Sequence, residues 1–273
     1  MSAHIFEGRK EAARIEQSLI SRVRAITEQR KNPPKLLSIL VGSDPASRMF
    51  IDIKEKRART IGMAFERKHY PDSFDPAKVV TFIREANEDK YVDGIIVQLP
   101  LPEQFERSRV LRAIDPFKDV DGLHPKNFGA LVEGTPSFLP PAVLAVQRVL
   151  DTYSIDVKGV HVVMLGSGLL IGKPVGLWLL NNGATVTYCH KDTPNIGIVT
   201  QQADIIVAAT GVPGVLTRDM VEEGAIVVDF GGVMVDGVLQ GDANQAVAEK
   251  ASVVTPVPGG VGPLTVSFCW RIL

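Results

Sequence analysis

"VVMLGSGLLIGKP", Val162 to Pro174, decides the fold. An apolar run stops at Gly166, and Gly168 and Gly172 follow before Lys173 and Pro174. A short apolar run ended by glycine reads as a buried strand, and the pattern beyond Gly172 predicts a helix. Strand, glycine turn and helix together form the context in which a glycine motif can cradle a phosphate. Glycine lets the backbone bend tightly and approach a pyrophosphate closely. The helix N-terminus offers unpaired N–H groups and a positive dipole end. The spacing is G-x-G-x-x-x-G, one residue longer than the common dinucleotide fingerprint. A glycine turn that only lets a helix pack on its strand would read the same way.

Downstream, the strand "ATVTYC" ends about 20 residues on, where a ribose would sit. A carboxylate there would bond a ribose 2′-hydroxyl and favour NAD. Cys189, His190 and Lys191 come first instead, with Asp192 later. Lys191 suits a 2′-phosphate, although as a solvated surface lysine it would carry no such meaning. "ADIIVAA", "AIVVDF" and "ASVVTP" continue the series of short apolar strands expected of a parallel sheet covered on both faces.

Upstream, the chain alternates as well. "EGRKEAARIEQSLISRVRAITEQR" has helical apolar spacing, and "PKLLSILVG" is a buried strand. In "SDPASRMFIDIKEKRARTIG", Asp44 can cap a helix, Pro45 suits its first turn and Gly62 can end it. "AFERKHY" is a weaker strand, "DPAKVVTFIREANED" a capped helix, and "DGIIVQLPLP" a strand running into prolines. "KDVDGLHPKNFGALVEGTPSFLPP" fits no periodic segment and reads as a long loop, followed by the helix "AVLAVQRVLDTYSI". The expected fold is therefore α/β, with two α/β domains, the second a Rossmann-type doubly wound parallel sheet. The boundary is placed at Pro140, giving domains 1–140 and 141–259.

The 273 residues carry a net charge of −1, so nothing global points to nucleic acid or to a membrane surface. The N-terminal stretch has charges where a secretory segment needs an apolar core, and no uncharged stretch reads as a spanning helix. Cys189 and Cys269 form no framework, so a reducing cytoplasmic setting is expected. His124, His161 and His190 share no ligand spacing, and no metal site is expected.

Four stretches carry a resemblance: "VGSDPASRMFIDIKEKRARTIG", "DGIIVQLPLP", "PFKDVDGLHPKNFGAL" and "TPVPGGVGPLTV". In register over almost the whole chain, they resemble the bifunctional methylenetetrahydrofolate dehydrogenase/cyclohydrolase family, called FolD in bacteria. The resemblance implies that segment 260–273 rejoins the first domain and that folate binds in a cleft between the domains. It implies oxidation of 5,10-methylenetetrahydrofolate with NADP, NAD being the other option, and hydrolysis of the methenyl product to 10-formyltetrahydrofolate. It also implies a homodimer.

Carried over residue by residue, Lys54 would be the catalytic lysine, used in its neutral form as base or proton shuttle, and Gln98 its partner. Asp121 would anchor the pterin. Phe50, Ser47, Pro258, Gly259, Gly260 and Gly262 would contact the folate. Gly166, Ser167, Gly168, Gly172, Lys191 and Gly232 would hold the dinucleotide.

The chain departs from the family in several places. Phe50 stands where tyrosine is usual, one helical turn before Lys54, and lacks a hydroxyl that could bond lysine or substrate. Ser167 and Gly168 replace the usual Arg-Ser, which leaves the NADP preference resting on Lys191. Ala142 and Val143 replace a Thr-Pro, and Gly232 replaces a larger residue of the nicotinamide pocket. A divergent paralogue that binds without turnover, or a dehydrogenase with weak hydrolysis, are the alternatives these departures raise.

Overall fold

The structure is a computed structural model that describes residues 3–271. In chain order its elements are β1 (His4–Ile5), α1 (Gly8–Arg30), β2 (Lys35–Val41), α2 (Pro45–Ile61), β3 (Ala64–Tyr70), α3 (Pro76–Glu88) and β4 (Gly94–Val97). Then come α4 (Arg107–Leu111), α5 (Pro125–Val132), α6 (Pro141–Thr152), β5 (His161–Leu165), α7 (Gly172–Asn181), β6 (Thr185–Cys189) and α8 (Ile196–Thr200). The chain continues with β7 (Ile205–Ala208), β8 (Ile226–Asp229), β9 (Val233–Val235), β10 (Val238–Gln240), β11 (Val253–Val254) and α9 (Val261–Cys269).

The chain divides into two compact units. One takes residues up to Ala12 together with Ala130–Thr265, and the other takes Ala13–Gly129 with the residues from Val266 on. The composition had placed 1–140 in one domain. The difference at the N-terminus has a backbone cause, because β1 pairs in parallel with β11, His4 opposite Val253.

The unit around Ala13–Gly129 is built on a three-stranded parallel sheet in the order β3-β2-β4. Apart from Lys35, every residue of central β2 is buried, as a strand covered on both faces requires. Asp44 caps α2 by accepting from the Ser47 N–H at 2.7 Å, and Gly62 closes the helix at φ +85°. Buried Glu16 ties three helices together. It accepts from Arg57 of α2 at 3.1 Å and from the Ser267 hydroxyl of α9 at 2.8 Å. Phe65 meets Trp270 edge-on at 6.3 Å between ring centres.

The other unit is built on a six-stranded sheet, parallel throughout, in the order β1-β11-β8-β7-β5-β6. The chain leaves β5 toward β6 on one side and returns to β7 on the other, so the order reverses between β5 and β7. Open α/β sheets bind ligands in the crevice beyond the strand ends at such a switch point.

Several elements were not expected from the sequence, among them the short β1, α4 and α8. α5 lies inside the stretch read as loop, and β9 and β10 form an antiparallel hairpin. Among the described residues no helix is long and apolar enough to cross a membrane.

Candidate active site and dinucleotide turn

In the unit around β2, the site begins with an amine buried on a helix. Lys54 is 9% exposed, and its Nζ donates to Gln98 Oε1 at 3.2 Å. Gln98 directly follows β4, and its backbone N–H donates to Ile39 of β2 at 2.9 Å. Its amide nitrogen donates to the Leu99 carbonyl at 3.3 Å, which leaves the amide oxygen aimed at the lysine. Ser47 is buried seven residues before Lys54 on the same helix, its hydroxyl 3.4 Å from the Leu99 carbonyl. Half-buried Phe50 lies between them on α2.

The loop carrying Asp121 runs beside β4, where the Ile95 N–H donates to the Lys118 carbonyl at 2.7 Å. Buried Asp119 fastens this loop by accepting from the His124 N–H at 2.7 Å and from the Asn127 amide at 2.9 Å. Burial pushes the Asp121 carboxyl above the ordinary range; the Lys54 ammonium pulls it down, and Asp119 pushes it up again. Cys269 on α9 belongs to the same neighbourhood. Burial lifts its thiol to about 12, with Lys54 lowering it and Asp121 raising it. Neither Asp119 nor Cys269 was singled out from the sequence. Their place depends on a loop and a helix that only the fold brings to Lys54.

The dinucleotide turn is made of backbone. Gly166 ends β5 at φ +100°, and a side chain there would run into the Ala209 carbonyl beyond β7. A side chain on Gly172 would meet the Gly166 carbonyl, so the turn closes on itself. Gly168 faces open space, and Ser167 is half-buried beside it. No side chain caps α7; in its first turn the Lys173 N–H donates to the Gly168 carbonyl at 2.9 Å and Pro174 has no N–H, which leaves the Gly172 N–H for an anion. These features fit a dinucleotide pyrophosphate. Lys191 is exposed just past β6. Half-buried Gly232 follows β8.

The glycines near the C-terminus divide by role. Gly259, at φ +114°, accepts from the Arg9 N–H at 3.1 Å, and the Gly260 carbonyl fills the place of a side chain on Gly8. Both are tied to the start of α1. Pro258 is exposed after a cis peptide bond, and Gly262 is exposed with open space around it.

Residues 6–121 match the model of the tetrahydrofolate dehydrogenase/cyclohydrolase catalytic domain, and residues 140–271 match that family's NAD(P)-binding domain. The chain belongs to the tetrahydrofolate dehydrogenase/cyclohydrolase family. The bifunctional protein FolD of Exiguobacterium sibiricum is 43% identical over 97% of this chain and 96% of its own. That of Aquifex aeolicus is 42% identical over 97% and 92%. Among solved structures, the bifunctional FolD of Campylobacter jejuni superposes with a TM-score of 0.94 at 36% identity, covering 99% of this chain and 97% of that one. The Trypanosoma brucei FolD, solved with NADP and an inhibitor, gives 0.94 at 33% identity over 100% and 96%. Within this tetrahydrofolate dehydrogenase/cyclohydrolase chain, the buried Lys54–Gln98 pair lies in the stretch matched by the catalytic-domain model and the Gly166 turn in that matched by the NAD(P)-binding model.

Proposed function

We propose that the protein oxidises 5,10-methylenetetrahydrofolate to the 5,10-methenyl form with NADP and hydrolyses that product to 10-formyltetrahydrofolate. The carrying observation is the buried Lys54 amine hydrogen-bonded to the uncharged Gln98 amide. NADP, when bound, would supply the acceptor for the hydride that leaves the methylene carbon. The cation left behind is stabilised by the two folate nitrogens that flank it, so the protein's part in that step is to hold the partners and exclude water.

Hydrolysis needs a group that removes a proton from the attacking water. Lys54 does this once the cationic substrate beside it has driven off the amine's own proton, and Gln98 orients the amine without adding a charge that would hold the proton there. Asp121 anchors the pterin, accepting two hydrogen bonds from the aminopyrimidine edge. Its desolvated carboxyl lacks what those donors provide, so substrate stabilises its charged form. Ser47 and Phe50 line the folate side of α2.

Gly166, Ser167, Gly168 and Gly172 would hold the pyrophosphate, Lys191 would meet the 2′-phosphate, and Gly232 would leave room for the nicotinamide. The proposal extends to a cytoplasmic homodimer. Cys189 is a free, buried thiol, which suits a reducing compartment, and light scattering tests the dimer.

Two absorbance assays test the reading, one for methylenetetrahydrofolate with each dinucleotide and one for methenyl hydrolysis. Both activities are expected, with NADP preferred. Lys54→Met should lower hydrolysis by about 10²–10⁴-fold. Wild-type protein that turns over neither substrate would refute the proposal.

A further inference from the structure

Two carboxylates are buried together at the C-terminal edge of the six-stranded sheet. Asp229, the last residue of β8, is 3% exposed, and Asp242, on the strand-free return from β10, is fully buried. Asp242 Oδ2 collects three donors: the Thr210 N–H, the Thr210 hydroxyl at 2.8 Å and the Gly211 N–H at 3.2 Å. Its other oxygen, Oδ1, is buried and meets no donor. Asp229 accepts from the Gly231 N–H at 2.6 Å, the Asp242 N–H at 3.1 Å and the Ala243 N–H at 2.9 Å. Gly241 makes room for it, since a side chain there would strike the Asp229 carboxylate.

The pair therefore fixes two loops, Thr210–Gly211 after β7 and Gly231 after β8. The first is continuous with Ala209, whose carbonyl backs the Gly166 turn. If that turn takes the pyrophosphate and the β6 side takes the adenosine, the nicotinamide end falls on the β7–β8 side of the switch point. The loops that receive it are the ones these carboxylates hold.

Five backbone N–H groups and the Thr210 hydroxyl donate to the pair, and no cation contributes to the surroundings of Asp229. At Asp242, where one oxygen takes all three donors, holding the loop would not require charge, because a neutral amide can accept the same bonds without the desolvation cost of an ion; Asp229 accepts on both oxygens. Asp242 keeps one buried oxygen unpaired, and a buried negative charge without a counter-cation acts at long range through low dielectric. The nicotinamide ring carries a positive charge when oxidised and none when reduced.

Resting on the proposed use of a nicotinamide dinucleotide, we infer that the Asp229–Asp242 pair makes this site discriminate by redox state, favouring the oxidised cofactor over the reduced one. Asp229 and Asp242 are thus positioning residues whose charge also biases the dehydrogenase toward oxidation.

The test is equilibrium binding of NADP⁺ and of NADPH to the full chain, by calorimetry or fluorescence, for wild type, Asp242→Asn and Asp229→Asn. 2′-Phospho-ADP-ribose, which lacks the ring, serves as the folding control. Either variant that binds this control as wild type does carries the test. Affinity for NADP⁺ should fall about fivefold while that for NADPH stays within about twofold. Equal weakening of both forms, or no change in either, would overturn the inference, because a purely structural pair cannot sense ring charge. Wild-type protein that binds neither form would instead bring down the proposed cofactor use, and this inference with it.

Discussion

The Lys54 region and the Gly166 region sit at the ends of parallel strands, yet they are built from different materials. Around Lys54 the chemistry is in side chains: an amine, an amide and a carboxyl on α2, after β4 and in the loop beside β4. Around Gly166 it is in what side chains leave free, namely a turn without Cβ atoms and an uncapped helix end. A side-chain site tolerates backbone change but not chemical change. A backbone site reverses that rule.

Gly166→Val is the sharpest way to break this comparison. It puts a branched side chain at φ +100° against the Ala209 carbonyl, so dinucleotide affinity should fall roughly 100-fold. Methenyl hydrolysis should stay within about threefold, since no Lys54-region group lies in the turn. Parallel loss of both activities would show that the regions are not separable.

Asp229 offers a pH test. Its carboxyl is held at about 6 against an ordinary 3.8, chiefly by burial, with Asp242 adding to the rise. Its contribution to stability is therefore full below about pH 3.8 and is lost as pH rises through about 6. Relative to Asp229→Asn, wild type should lose roughly 2–3 kcal/mol of unfolding free energy between about pH 4 and pH 7, read by urea denaturation at each pH. A constant difference would mean the carboxyl is not strained.

Phe50→Tyr comes next. It adds a hydroxyl one helical turn before Lys54 and should raise hydrolysis about two- to tenfold, the worth of one hydrogen bond. No change would remove Phe50 from the hydrolytic account. The smallest effect belongs to Gly168→Ala. Open space surrounds that position, so the shift in unfolding free energy should be within about 0.5 kcal/mol.

What the sequence made legible was mostly local. The passage from β5 through the glycines into α7 follows from one apolar run and its punctuation. The cap at Asp44, the proline at 45 and the glycine at 62 bounded α2 as observed. α5 escaped because its start is not signalled by an ordinary capping residue. The His124 ring accepts from the Lys126 N–H at 3.1 Å, and Asp119, five residues before His124, accepts from the His124 N–H. Gly129 in the middle of the segment further weakens any helical reading.

The Asp229–Asp242 pair was illegible for another reason. A carboxylate ending a strand and one after a hairpin look like solvated turn residues until the sheet is assembled. The resemblance reached Lys54, Gln98 and Asp121 by register, and the fold supplies the bond between the first two and the electrostatic link to the third.

The bond from Ser267 to Glu16 spans 251 positions of the chain. During synthesis, the sheet β3-β2-β4 and the helix bearing Lys54 emerge long before Ser267 and Trp270, which complete their packing. Until then Glu16 lacks one of its two donors and Phe65 lacks its aromatic neighbour. Contacts of such separation form late and slowly. The sheet that is synthesised well before Ser267 thus finishes only after it, and the amine on α2 takes its final setting only when α9 has emerged.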